Sequence, residues 1–217
     1  MVLTEKEVTV VKKRFALFGQ PKQTLEKIGK QFKVTRERIR QIESIALSKL
    51  KRTVRTTRLD EVNDVAKATL RAHGGVMTEE ELVSQTLKRI ANATAADGAV
   101  LRLSFSIDQE MSSTGRSNTF MPFWRLSSLP FEDISLIVEN IVKILKKRKA
   151  CMKEEEVISA IQSIHLFPDR VPSAELIKSC LKIDERLRSM SHYPAWITDS
   201  EVENIIRQRL AAGRALV

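Results

Sequence analysis

Histidine, cysteine and aromatic side chains are scarce in this 217-residue chain, with three His, two Cys and 5% Phe, Trp and Tyr together. The cysteines, Cys151 and Cys180, form no CxxC pair. They cannot frame a disulfide scaffold or supply the roughly four ligands of a structural zinc, and both are expected as small apolar residues in a core. The histidines, His73, His165 and His192, stand apart from one another, without an HExxH pattern. No Gly-rich phosphate loop or nucleophile elbow accompanies them, so a non-enzymatic protein without metal or cofactor is expected. Seven glycines and few aromatics argue against a β-rich fold. No run of about 18 apolar residues could span a membrane, and the segment Met1–Lys6 lacks the basic-then-apolar plan of a signal peptide. The expected location is the cytoplasm, at the nucleoid if the chain binds DNA.

Charge is present in quantity and is unevenly placed. Residues 1–58 carry 16 Lys and Arg against 5 Asp and Glu, a surplus of 11, whereas residues 59–217 carry 21 against 22. The whole excess of the +10 chain therefore lies in its first quarter. That is the footprint of a phosphate-binding module joined to something that is not one.

Thr4 and Glu7 read as a capping box opening a helix to about Ala16, with Val8, Val11 and Phe15 at helical spacing. The run Phe18-Gly19-Gln20-Pro21 breaks it. Thr24 caps a second helix, Leu25 to Phe32, and Thr35 caps a third, from Arg36 to about Arg52. The polar stretch 53–58 reads as a linker. Within Thr24–Glu43, Gly29 supplies the small residue that two crossing helices need, and Leu25, Ile28, Phe32, Val34, Ile39 and Ile42 fall at core spacing. The helical step then puts Arg36, Glu37, Arg40 and Gln41 on the outer face near the start of the third helix, the end that enters a major groove. The residue types suit base edges: Arg pairs with guanine, Gln with adenine, and Glu accepts from cytosine. Lys30, Lys33, Thr35 and Arg38 suit phosphate contacts that set register.

The segment Thr24–Leu50, above all Val34–Glu43 (VTRERIRQIE), resembles region 4 of the sigma-70 family, the helix-turn-helix that binds the −35 promoter element. The resemblance covers about residues 3–52. It implies that Arg36, Glu37 and Gln41 read −35 bases and that Arg38 and Arg40 match flanking basic positions. It also implies that Ala46–Arg52, with Lys49, Lys51 and Arg52, lies near the contact with the β-subunit flap of RNA polymerase. The implied partners are double-stranded promoter DNA and the polymerase core. The basic and aromatic segment with which full sigma factors melt the −10 element is not found here, so a second sigma-like subunit is expected to supply it.

Beyond residue 58 the sequence repeats itself. The run from His73 to Val83 is echoed 75 residues later from Arg148 to Ile158, with Met77 on Met152 and Glu79–Glu81 on Glu154–Glu156. Ile107-Asp108 is echoed by Ile183-Asp184, and Met121-Pro122-Phe123-Trp124 by Tyr193-Pro194-Ala195-Trp196. Each copy reads as helix, turn, helix opened by glutamates that favour the dipole, third helix, and a hairpin ending in Trp. That is the order of a winged helix-turn-helix, and the first copy resembles the HARE-HTH domain. The expected fold is mainly α: a helix-turn-helix bundle (1–58) followed by two tandem winged helix-turn-helix domains with short hairpin wings (59–128 and 129–217), closed by a helix over 199–210. Arg116 could reach a minor groove from the first wing, while the basic clusters at 143–149 and at Arg186 and Arg188 read first as solvated surface. Three functions fit: a sequence-specific transcription initiation factor, a flap-binding regulator that blocks or redirects the resident sigma factor, and a repressor or activator that never touches polymerase.

Overall fold

A computed structural model describes residues 2–90, 97–189 and 195–214, with side chains through residue 208. Ten helices and six short strands are present among these residues. Their contacts form two compact units, one of residues 1–69 and 80–112, the other of 70–79 and 113–217. His192, Tyr193 and Pro194 lie outside the described residues.

In the first unit, the Thr4 hydroxyl accepts from the Glu7 amide while the Glu7 carboxylate accepts from the Thr4 amide at 2.7 Å, which starts α1 (Glu5–Phe15). Ala16 ends it in the left-handed region. Thr24 caps α2 (Leu25–Phe32) and Thr35 caps α3 (Arg36–Thr53), each accepting at 3.2 Å from the amide three residues on. Val10, Ile28 and Ile39 are fully buried together, with Leu25, Phe32 and Ile42 packed around them. Two expectations about this core need correction. Val34 is 39% exposed, because it sits in the turn rather than on a helix. Val10, absent from the expected stripe, is central: α1 buries Val10 against Ile28 and Ile39, and Val11 in a second cluster with Leu17 and Ala46. The stretch expected as a linker is anchored, since Val54–Thr56 form a 3-10 turn and Val54 is buried.

α4 (Leu59–Ala72), α5 (Glu79–Arg89) and α6 (Asp97–Ile107) follow. Within the first unit Lys67 is buried against Asp64 at 2.9 Å and Asp108 and Glu110 at 3.6 Å, and the Asn63 side chain is hydrogen-bonded to Ser104.

Around the second unit, β1 (Val76–Thr78), β2 (Met111–Thr114) and β3 (Phe123–Leu126) make a sheet of order β1-β3-β2. After α7 (Phe131–Arg148) come β4 (Met152–Lys153), α8 (Glu154–Ser163), α9 (Ala174–Ile183), β5 (Leu187–Ser189) and β6 (Ala195–Thr198). The last three strands form a second sheet, β4-β6-β5, and α10 (Asp199–Arg214) ends the described chain. Both copies of the repeat thus run helix, strand, helix, helix, two strands. What the sequence offered as a turn between the first two helices is a strand in each. Met77 pairs with Trp124 across the first sheet, and Met152 with Trp196 across the second, so residues aligned by the repeat are cross-strand partners in both.

The core of this unit mixes the two copies. Val76 and Phe123 are buried in one cluster with Ile134, Ile137 and Ile141 of α7 and with Ile177, Cys180 and Leu181 of α9. Gly74, at φ +73°, lets the chain run against α9, where a Cβ would stand 2.3 Å from the Leu176 nitrogen. Met121 and Glu185 amides donate to Ile183 and Thr119 carbonyls at 2.9 Å, joining the segment between β2 and β3 to the turn after α9. Burial pushes the Cys180 thiol pKa up, as expected of a core cysteine. Cys151 is exposed instead, because it lies in the turn between α7 and β4.

Candidate nucleic-acid interface

The turn between α2 and α3 determines how α3 is presented. Lys33 adopts φ +54° and ends α2, and the Val34 amide folds back to the Gly29 carbonyl at 3.0 Å. A Cβ on Gly29 would stand 2.7 Å from the Val34 oxygen, so only glycine admits this approach without a shift. Three further contacts hold the frame, none visible in sequence spacing. Arg14 donates to Glu43 of α3 at 3.0 Å and to the Gln23 carbonyl at 2.9 Å, and Lys13 bonds to Gln31 of α2.

On that frame Arg36, Glu37, Arg40 and Gln41 are all exposed in the first two turns of α3. Three of them are paired along the helix. Arg40 holds Glu37 through both carboxylate oxygens, from 2.7 to 3.0 Å, and Arg38 donates to Gln41 at 3.1 Å. The Arg40 hydrogen bond holds the Glu37 carboxyl below its ordinary pKa and raises that of Arg40. Pairs this exposed are weak and salt-screened, so a polar ligand can exchange them for its own hydrogen bonds. Lys30 pairs with Glu26 at 3.0 Å one turn back. Lys33 is exposed at the turn, and the Thr35 hydroxyl is engaged as the α3 cap.

At the far end of α3, Lys49 is half-buried and bonds both Glu7 oxygens, at 2.7 and 2.9 Å. Its charge therefore braces α1 against α3. Lys51 is half-buried and Arg52 exposed. In the second unit some of the basic side chains noted in the sequence are paired with acids. Arg186 is held by Asp184 and Glu139 at 2.7 and 2.8 Å, and Arg188 by Asp199 at 2.9 Å. Arg116, between β2 and β3, lies 2.8 Å from Glu185, a charge contact without hydrogen-bond alignment. Among the described residues no helix is long and apolar enough to cross a membrane.

Residues 1–52 match the family of sigma-70, region 4. The segment is 51% identical over 57 residues to the RNA polymerase sigma factor RpoD of Neisseria gonorrhoeae, covering 26% of this chain and 9% of that protein. It is 57% identical over 49 residues to SigA of Lactococcus lactis subsp. cremoris, covering 23% of this chain and 14% of the relative. To SigA of a Bacillus species it is 54% identical over 57 residues, 26% of this chain and 15% of the relative. The chain thus spans less than a sixth of the length of these relatives. No solved structure matches it.

Proposed function

We propose that the sigma-70 region 4 segment at residues 1–52 reads a −35-like promoter element and docks on bacterial-type RNA polymerase through the β-subunit flap, making the chain a sequence-specific transcription initiation factor. The observation that carries this reading is the exposed quartet Arg36, Glu37, Arg40 and Gln41 at the start of α3, on a turn that Gly29 keeps tight. Arg36, Glu37, Arg40 and Gln41 contact bases, while Lys30, Lys33, Thr35 and Arg38 contact the phosphate backbone. Lys51 and Arg52 face polymerase, with Lys49 contributing through its brace to Glu7. Strand opening at the −10 element is not assigned to these residues, and a second sigma-like subunit is proposed as its source.

For the remainder, the twice-repeated order of helix, strand, helix, helix and hairpin supports reading 59–128 and 129–217 as winged helix-turn-helix domains, the first HARE-HTH-like. Their near-neutral charge supports protein docking over a strong grip on phosphates. It also favours a second reading of the whole chain, a flap-binding regulator that blocks or redirects the resident sigma factor.

Promoter footprinting with Arg36→Ala, Glu37→Ala and Gln41→Ala separates these readings. Each lost bidentate base contact should weaken the site by about 1–3 kcal/mol, roughly 5- to 150-fold, and relax preference at one position. Unchanged footprints in all three variants would remove base reading from the proposal. Failure of the chain to bind core polymerase, in wild type and variants alike, would remove both polymerase-dependent readings.

A further inference from the structure

α6 is apolar on two sides. On one, Gly98, Leu101, Ser104 and Phe105 are buried, with Gly98 against Val83 of α5 and Ser104 bonded to Asn63 of α4. On another, Ala99 and Leu103, one helical turn apart, pack into the cluster of Val11, Leu17 and Ala46, together with Leu3 and Phe15. A helix with two apolar faces is driven to cover both, and α6 buries the first and half-buries the second inside the first unit. It nevertheless stands third in its repeat, the place from which a helix-turn-helix reads DNA. α9, the third helix of the other repeat, keeps Glu175, Lys178 and Lys182 exposed. Position in the repeat would assign α6 to a groove, and its packing assigns it to α1 and α3.

The covered face includes Ala46, fully buried, the first residue of the stretch 46–52 that the reading above places at the polymerase flap. We propose that α6 is an intramolecular cover over the apolar face of α1 and α3, and that polymerase engages this module only when α6 is displaced. The inference rests on the polymerase-docking reading and adds its regulation. While α6 is seated, only the fraction of molecules with α6 lifted can dock, and the apparent affinity falls by that fraction. The base-reading quartet lies at the other end of α3 and stays exposed with α6 in place, so DNA reading and polymerase docking are controlled separately.

The test uses the full chain and a fragment carrying the β-subunit flap. Leu103→Asp puts a charge into the covered face, and Leu103→Ala is a milder change that spares the fold. Hydrogen exchange over residues 10–17 and 44–50 reports whether α6 has lifted, and affinity for a −35 duplex reports whether the module is still folded. The cover predicts faster exchange there, unchanged duplex affinity, and flap affinity raised about tenfold or more in Leu103→Asp, with a smaller rise in Leu103→Ala. Equal flap affinity in wild type and variants that show faster exchange would overturn the cover and leave polymerase docking standing. Weaker flap binding in the variants would overturn it too, by making α6 part of the docking surface. If neither wild type nor variants bind the flap, both the cover and the docking reading fall.

Discussion

Replacing Gly29 with alanine sets two effects of opposite sign against each other. In an open helix alanine is better than glycine by about 1 kcal/mol. Here the new Cβ would stand 2.7 Å from the Val34 oxygen and 3.4 Å from the Thr35 carbonyl carbon. Carbon–oxygen contacts settle near 3.3 Å, so the overlap with that oxygen is about 0.6 Å. The oxygen belongs to a backbone held on both sides, by the Val34 amide on Gly29 at 3.0 Å and the Thr35 cap on Arg38 at 3.2 Å. It cannot turn away without losing one of them. Overpacking costs about 1–3 kcal/mol, and a lost hydrogen bond about 1 more. After the helix gain is subtracted, Gly29→Ala should destabilise the first unit by about 1–3 kcal/mol. For a unit of about 100 residues that is a fall in Tm of roughly 4–20 °C. Thermal melts by circular dichroism and a lowered urea midpoint at unchanged m would register it. At a temperature where the variant is still folded, affinity for a −35 duplex should also fall, because the overlap pushes α3 away from α2. A variant as stable as wild type, or more stable by the helix-propensity gain, would refute the argument from close approach.

Three more outcomes are expected. Lys49, then the Thr4 amide, hold the Glu7 carboxyl below its ordinary value of 4.5, so their contribution is fully present above about pH 4.5 and is lost as pH falls through the depressed value. Glu7→Gln should therefore be less stable than wild type at pH 7, with the gap narrowing as pH falls below the ordinary value of 4.5; a gap of the same size throughout an acid titration would mean that the Glu7 charge is not what braces α1 on α3. Lys33→Ala should reduce the slope of log affinity against log salt for duplex DNA by about 0.9, while Gln41→Ala should lower affinity and leave the slope alone; equal slopes for Lys33→Ala and wild type would take Lys33 off the backbone. Gly74→Ala meets both a left-handed φ of +73° and a 2.3 Å approach to the Leu176 nitrogen, so the second unit should lose about 2–5 kcal/mol; a loss under 1 kcal/mol in urea titration would show that this packing has slack.

The helix-turn-helix was legible because its determinants are local. A cap, a glycine and apolar residues three and four apart act within one or two turns, and the helical step then decides which side chains face out. Arg36, Glu37, Arg40 and Gln41 were placed by that rule and are exposed. The same rule misjudged Val34, where the chain leaves the helix, and Val10, because α1 has two partners and so two buried stripes. The repeat was legible from matched residues, but its extra strands were not. Segments of two and three residues such as Met152–Lys153 and Val76–Thr78 carry no periodicity, and they become strands only when β6 and β3 lie beside them.

Sequence alone therefore determined the module at the start of the chain, its charge, its caps and the face it presents. Only the tertiary structure decided which charges remain available and which apolar faces are covered. Lys49 reaches Glu7 across 42 residues, Arg14 reaches Glu43 across 29, and Leu103 settles against the cluster around Ala46. No local rule encodes such pairings. They arise because a collapsing chain must find, for every buried charge and every second apolar face, whichever partner the fold has brought within reach.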